Sequence, residues 1–359
     1  MYLLSCTTIN LVLITLFVNL LFVYHATGEN NNVNKNSNSN KNIKNTNVAL
    51  QDNTPKLPVI TDAENSNSNK NSNSNKNIKN TNVALQNNTP KLPVITDAEL
   101  QRITEDLFQR DTCCIYRNIT VSFQGWIQRE NVTDNAPKPL FRVPTTVLSH
   151  PTIDKLNKLF DNYEVDISKT EVVTKEESAE EDDFINTLLS SDILTTVMNF
   201  LATKGYFAKN TQTYKTILKS IWFQQYSRIK GSIGSSGFEH VFLIERKKDN
   251  SIIGLHNWIY FAKQESLNNV NYLGYGRKVL FDNKAALAKI HFDFKQQHKV
   301  SSMLIGTLPE LEIAIYTLCF YTRPNERCRI SFAAHKFNIQ THKWQYNNKN
   351  LVGSAYPLI

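Results

Sequence analysis

The apolar positions Leu100, Ile103, Leu107 and Phe108 repeat at the spacing of one helical face. Thr96 and Glu99 stand ahead of them at the spacing of a capping box, so a helix is predicted from about residue 97. A second, short helix is predicted from Ile153 to Tyr163, with Pro151 just ahead. The acidic run Glu176 to Asp183 leads into apolar pairs at 184/185, 188/189, 193/194 and 197/198. This predicts one long helix or two consecutive ones, stopped at Gly205, with acidic residues complementing the helix dipole. "YKTILKSIWFQQYSRI" predicts another.

After Gly231 the texture changes. β-branched and aromatic residues dominate, and strands are predicted over 239–246, 252–262, 301–307, 313–322, 328–334 and 336–345. The expected class is α+β: a helical N-terminal lobe followed by a β-sheet-rich C-terminal lobe, spanning 96–359.

The first 95 residues have another pattern. An apolar run at 9–23 is short for a membrane span and suits the core of a secretory signal, with Ala26 and Gly28 near a cleavage point. Residues 1–28 are therefore read as a signal peptide and the protein as secreted, without stable membrane association once the signal is cleaved. An uncleaved anchor is the alternative, since no Lys or Arg precedes the run. Residues 29–95 are rich in Asn, Ser and Lys and too poor in apolar side chains to offset chain entropy, so they are expected to be disordered. They hold a repeat of period 35: the segment from Lys35 to Glu64 recurs from Lys70 with one change, Asp52 to Asn87.

The net charge of +8 narrows little. Residues 29–95 contain eight Lys and four Asp or Glu, so half of the excess lies there and the domain is only mildly basic. A basic groove is expected near Arg246, Lys247, Lys248, Arg277 and Lys278, with Lys247 and Lys248 the more ordinary turn charges. Besides Cys6, the cysteines are Cys113, Cys114, Cys319 and Cys328, which allow three pairings in an oxidising compartment. Sequons at Asn87, Asn118 and Asn131 fit a secreted glycoprotein.

The chemistry centres on "SSGFEHVFLIERKKDNSIIGLHNWIYF". If Arg246 pairs with Ile252 across a five-residue loop, His240 falls opposite Trp258 and His256 is its diagonal neighbour on the same face, ~7–8 Å away. With an even loop the two face opposite sides. Two imidazoles can serve as the base that deprotonates an RNA 2′-hydroxyl and the acid that protonates the departing 5′-oxygen. Lys299 is the candidate cation for the charge that develops on phosphorus. His291, His335 and His342 have no evident partner and read as structural or exposed.

"SSGFEHVFLIE", "GLHNWIYF", "KVSSMLIGTLPELEIAIYTLCF" and "GSAYP", with "DAELQRITEDLFQRD" and "IWFQQYSR" upstream, resemble the EndoU family of uridylate-preferring endoribonucleases over roughly 96–359. The resemblance implies His256 as general base, His240 as general acid and Lys299 as electrostatic stabiliser, with 2′,3′-cyclic phosphate and 5′-hydroxyl ends as products. It implies a single-stranded, uridine-containing RNA partner and a monomer. Tyr356 is expected to contact the pyrimidine, with Ser354, or Ser302 or its neighbour Ser301, hydrogen-bonding uracil. Glu239 and Glu245 are expected to orient His240 or to help hold a divalent ion, manganese or calcium. Leu308 departs from the family's pattern, which has a small residue there. The rival reading is a non-catalytic secreted RNA-binding or interaction module of the same fold.

Overall fold

The computed structural model describes residues 92–359 other than 112–114 and 129–132. The signal and repeat segments through residue 91, Cys113, Cys114 and the sequons at Asn87 and Asn131 lie outside the described residues. Ile95 is already buried in the core, and its carbonyl accepts a hydrogen bond from Arg323. The core thus already includes Ile95, one residue ahead of Thr96.

Helix α1 (Asp97–Arg110) starts with both hydrogen bonds of the Thr96–Glu99 capping box. It buries Leu100, Leu107 and Phe108, three of the four predicted positions. There follow α2 (Ile115–Asn118), the strand pair β1 (Thr120–Val121) and β2 (Phe141–Arg142), α3 (Thr145–Leu148) and α4 (Pro151–Lys158). The acidic and apolar stretch forms two helices, α5 (Lys175–Leu189) and α6 (Asp192–Thr203). They divide where Ser191 caps α6 by accepting hydrogen bonds from the Ile193 and Leu194 N–H groups. Then α7 (Thr211–Leu218) runs into a π-helical turn at Lys219–Phe223.

The next segment departs from the expected two-strand ribbon. It forms α8 (Gly237–Phe242), β3 (Ile244–Arg246), β4 (Ile252–Gly254) and α9 (Trp258–Ser266). Arg246 does pair with Ile252, but the hairpin has only three residues on each side. Both histidines lie outside it. β5 (Val270–Phe281), β6 (Ala285–Phe294) and β7 (Gln297–Ile305) make an antiparallel sheet in sequence order.

The stretch predicted as a strand at 313–322 is helix α10 (Pro309–Thr322). Every residue from Pro309 to Phe320 is buried, so its apolar side chains surround the axis and carry no helical period. β8 (Arg327–Phe332), β9 (His335–Tyr346) and β10 (Lys349–Leu358) close a second antiparallel sheet with β9 in the middle. A disulfide joins Cys319 of α10 to Cys328 of β8. The class is mixed α and β, but α8, α9 and α10 interrupt the strands of the C-terminal half.

One core runs through these layers. Phe108 stacks on Phe332, coupling α1 to the second sheet, and Phe238 stacks on both Phe223 and Phe242. The indole N–H of Trp222 donates to Thr317 Oγ1 of α10, and that of Trp258 to the Thr307 carbonyl. α8 and α9 are thereby wedged among buried aromatic side chains, a rigid mount for the two histidines.

Candidate active site

His240 lies within α8, whose N-terminus is capped by Ser236 Oγ accepting the Glu239 N–H at 3.1 Å. The chain leaves α8 directly into β3, which brings Glu245 back beneath the imidazole. His240 Nδ1 stands 2.5 Å from Glu245 Oε2. Glu245 is fully buried and also accepts from Ser235 Oγ and from Arg228 Nε, the latter at 3.3 Å. Burial opposes its ionisation, but Arg228 and His240 hold its carboxyl below the usual range. Arg228 is fixed in turn: its Nη2 donates to the Tyr226 hydroxyl at 2.7 Å and to the Gly353 carbonyl at 2.5 Å. Its guanidinium lies over the rings of Tyr226 and Trp344.

His256 is placed by a sharp turn. Gly254 and Leu255 both have left-handed backbones, at φ 79° and 60°, which end β4 and reverse the chain. The His256 N–H then donates to the Val241 carbonyl of α8 at 2.8 Å. Asn257 caps α9 by accepting from the Ile259 and Tyr260 N–H groups. The two imidazole centroids end 6.1 Å apart.

The partners of His256 fix its proton. Nδ1 lies 3.1 Å from the Ser302 carbonyl and 2.9 Å from Ser301 Oγ, whose own hydrogen is donated to the Leu255 carbonyl. Both partners accept, so Nδ1 carries the hydrogen and the lone pair sits on Nε2. Burial, then the charges of Lys299 and His240, hold His256 well below the usual imidazole range. Burial also lowers His240, and Arg228 adds to this, while Glu245 pulls it upward. Lys299 stands on β7 opposite Phe292; burial and the nearby Lys247 bring its ammonium down to about 8.

Tyr356 of β10 stacks on His256 with centroids 4.9 Å apart. Its hydroxyl lies 3.2 Å from His342 Nε2, so this histidine has a partner after all. Ser302 Oγ donates to the Pro357 carbonyl at 2.5 Å. Ser354 is buried on β10 opposite His342. Of the basic residues expected at a groove, Arg246 is paired with Asp166 at 3.4 Å, and the Lys278 ammonium lies over the Phe123 and Tyr275 rings.

Glu239 and Glu245 do not fit a shared metal site. The oxygens of Glu245 are taken up by His240, Ser235 and Arg228. Glu239 is buried, and burial followed by the neighbouring Glu171 pushes its carboxyl up toward the neutral form. Among the described residues, no three His, Cys, Asp or Glu side chains are grouped to hold an ion.

The family described as Endoribonuclease XendoU matches residues 99–357. The chain belongs to the XendoU family. It is 33% identical over 261 residues to the uridylate-specific endoribonuclease EndoU of Drosophila melanogaster, covering 71% of this chain and 81% of that protein. Uridylate-specific endoribonuclease C of Xenopus laevis is 34% identical over 270 residues, covering 72% and 88%. The solved structure of XendoU, titled a splicing independent snoRNA processing endoribonuclease, superposes with a TM-score of 0.61 at 30% identity. It covers 74% of this chain and 98% of that one. Against this XendoU background, the residues that sequence reasoning missed are those behind the histidines: Arg228, Ser235 and Asn257. Arg228 closes the "IWFQQYSR" motif, but nothing in the order of residues says that it reaches Glu245.

Proposed function

We propose that the protein is a uridylate-preferring endoribonuclease acting on single-stranded RNA. His256 Nε2 takes the proton of a ribose 2′-hydroxyl, whose oxygen attacks the adjacent phosphorus. The bond from phosphorus to the 5′-oxygen breaks, and His240 Nε2 gives that oxygen a proton. The ends are a 2′,3′-cyclic phosphate and a 5′-hydroxyl, and no water is consumed. Lys299 balances the charge that grows on the phosphate oxygens. Tyr356, Ser354 and Ser302 form the uracil-facing side. No step is assigned to a divalent ion, whether manganese or calcium, because Glu245 is engaged by His240 and Arg228 while burial pushes Glu239 toward its neutral form.

The observation that carries the reading is the unequal pair. Both rings have Nδ1 committed, one to neutral acceptors and the other to a carboxylate, which leaves each Nε2 for chemistry. A neutral acceptor holds a base, whereas a carboxylate stabilises an imidazolium. The test is cleavage of a mixed-sequence oligonucleotide with end-group analysis. His256→Ala is expected to lower kcat by ~10²–10⁴-fold and Lys299→Ala by ~10²–10³-fold, with the fold retained by circular dichroism. Full activity in either variant sinks the assignment. Binding of RNA by the wild type without any shortening selects the non-catalytic module instead.

A further inference from the structure

The register of the first sheet lines up Ser302 with two residues that the reaction above does not use, Lys289 and Arg277. Ser302 of β7 pairs with Lys289 of β6, and Lys289 pairs with Arg277 of β5. Paired residues share a face, and neighbouring strands are ~4.8 Å apart, so the Arg277 backbone lies ~10 Å from that of Ser302. The row begins beside the catalytic pair, because the Ser302 carbonyl accepts the His256 Nδ1–H, with its side chains on the sheet face opposite Lys299 and Ser301. It leads outward: Lys289 is half-buried and Arg277 exposed. The same face carries His291, Asp293 and His298, and Asp293 is taken up by His298 at 3.2 Å. Among the described residues, neither Lys289 nor Arg277 has a carboxylate partner at ion-pair distance.

The row ends beside an unusual tryptophan. Trp126 bridges to Tyr275 alongside β5, and its indole N–H donates to the Gly276 carbonyl at 3.0 Å. Gly276 adjoins Arg277. The bond uses the only polar atom of the side chain and orients the ring, yet 56% of Trp126 is exposed. A fixed, uncovered aromatic face next to free cations is how sequence-tolerant sites hold unpaired nucleic acid.

We infer that Lys289, Arg277 and Trp126 form a track for the single-stranded RNA flanking the scissile bond, the two cations taking phosphates and the indole stacking a base. This rests on the endoribonuclease reading, which supplies the RNA. Charge complementarity and the start of the row at His256 favour a nucleic-acid strand over a protein partner.

The probe is a fluorescent 12-nucleotide RNA with one 2′-deoxyuridine as its sole uridine, which lacks the nucleophile and stays intact. Binding is followed by anisotropy across a salt series. Each phosphate contact to a single strand contributes ~0.7 to the slope of log affinity against log salt. The Lys289→Gln/Arg277→Gln protein, which keeps side-chain bulk, is expected to flatten the slope by ~1.4 and to bind at least tenfold more weakly at low salt. Trp126→Ala is expected to weaken binding ~5–100-fold with the slope unchanged, and Trp126→Phe to recover most of it. An unchanged slope in the double variant overturns the track, as does unaltered binding in Trp126→Ala or failure of the wild type to bind. The all-ribose version of the oligonucleotide separates the two ideas. If the wild type leaves it uncut, the endoribonuclease reading fails, whatever the binding series shows.

Discussion

Burial pushes both imidazoles toward the neutral form; Glu245 is what distinguishes them. His256 is held well below the usual range, whereas the carboxylate beneath His240 opposes part of the same effect. The productive state, with His256 neutral and His240 charged, therefore dominates between the lower pKa of His256 and the higher one of His240. Both are depressed from 6.5, so kcat/KM is expected to peak below pH 6.5 and to fall on the alkaline side as His240 loses its proton. Lys299, at about 8, is still charged at that optimum and adds a second alkaline loss near pH 8. A pH–rate profile of kcat/KM on a uridine-containing oligonucleotide checks this, and an optimum above pH 7 refutes the assignment of roles.

Which elements carry those residues was only half legible. The capping box of α1 follows from local chemistry and is present; the pattern leaves α5 and α6 open as one helix or two, and the Arg246–Ile252 pairing, only a condition in the sequence, is present. The histidines were rightly brought together, but by the wrong device. Left-handed backbones at Gly254 and Leu255 depend on tertiary contacts, and alternation of side chains cannot announce them. The Glu245–Arg228 support was illegible for a similar reason: 17 residues of chain separate partners that only the fold brings together. α10 was misread because a helix buried on all sides has no polar stripe. The turn yields a test at this scale. A Cβ on Gly254 would stand 2.2 Å from the His240 carbonyl oxygen. Gly254→Ala is expected to cost ~1–2 kcal/mol from backbone conformation alone and to lower kcat ~10²-fold by shifting both rings. Thermal unfolding and single-turnover cleavage measure the two effects.

Across the whole molecule, several carboxyls are buried with their protons retained. Burial pushes Glu312 up to about 8, and Asp111 and Glu171 to about 7 each. Each folded pKa lies above the ordinary carboxyl value, so the folded state holds protons that the unfolded chain releases. Stability is therefore greatest below the unfolded values, 4.5 for Glu312 and Glu171 and 3.8 for Asp111, as far as these groups are concerned, and declines as pH rises toward 8. Glu312 accepts from Thr307 Oγ1 at 2.8 Å and faces the Asn257 amide that caps α9. Glu312→Gln is expected to raise Tm at pH 8 and leave it nearly unchanged at pH 5, which calorimetry at the two pH values checks.

The second sheet bears on when the protein becomes dangerous to RNA. A polypeptide emerges from its N-terminus, so His240, His256 and Lys299 all leave the ribosome before β10. That strand brings the Tyr356 ring that packs on His256 and the Gly353 carbonyl that anchors Arg228 behind Glu245. Until it pairs with β9, the proposed base lacks its cover and the proposed acid its brace. A chain without that last strand thus holds all three side chains proposed for the reaction but not the groups that steady two of them.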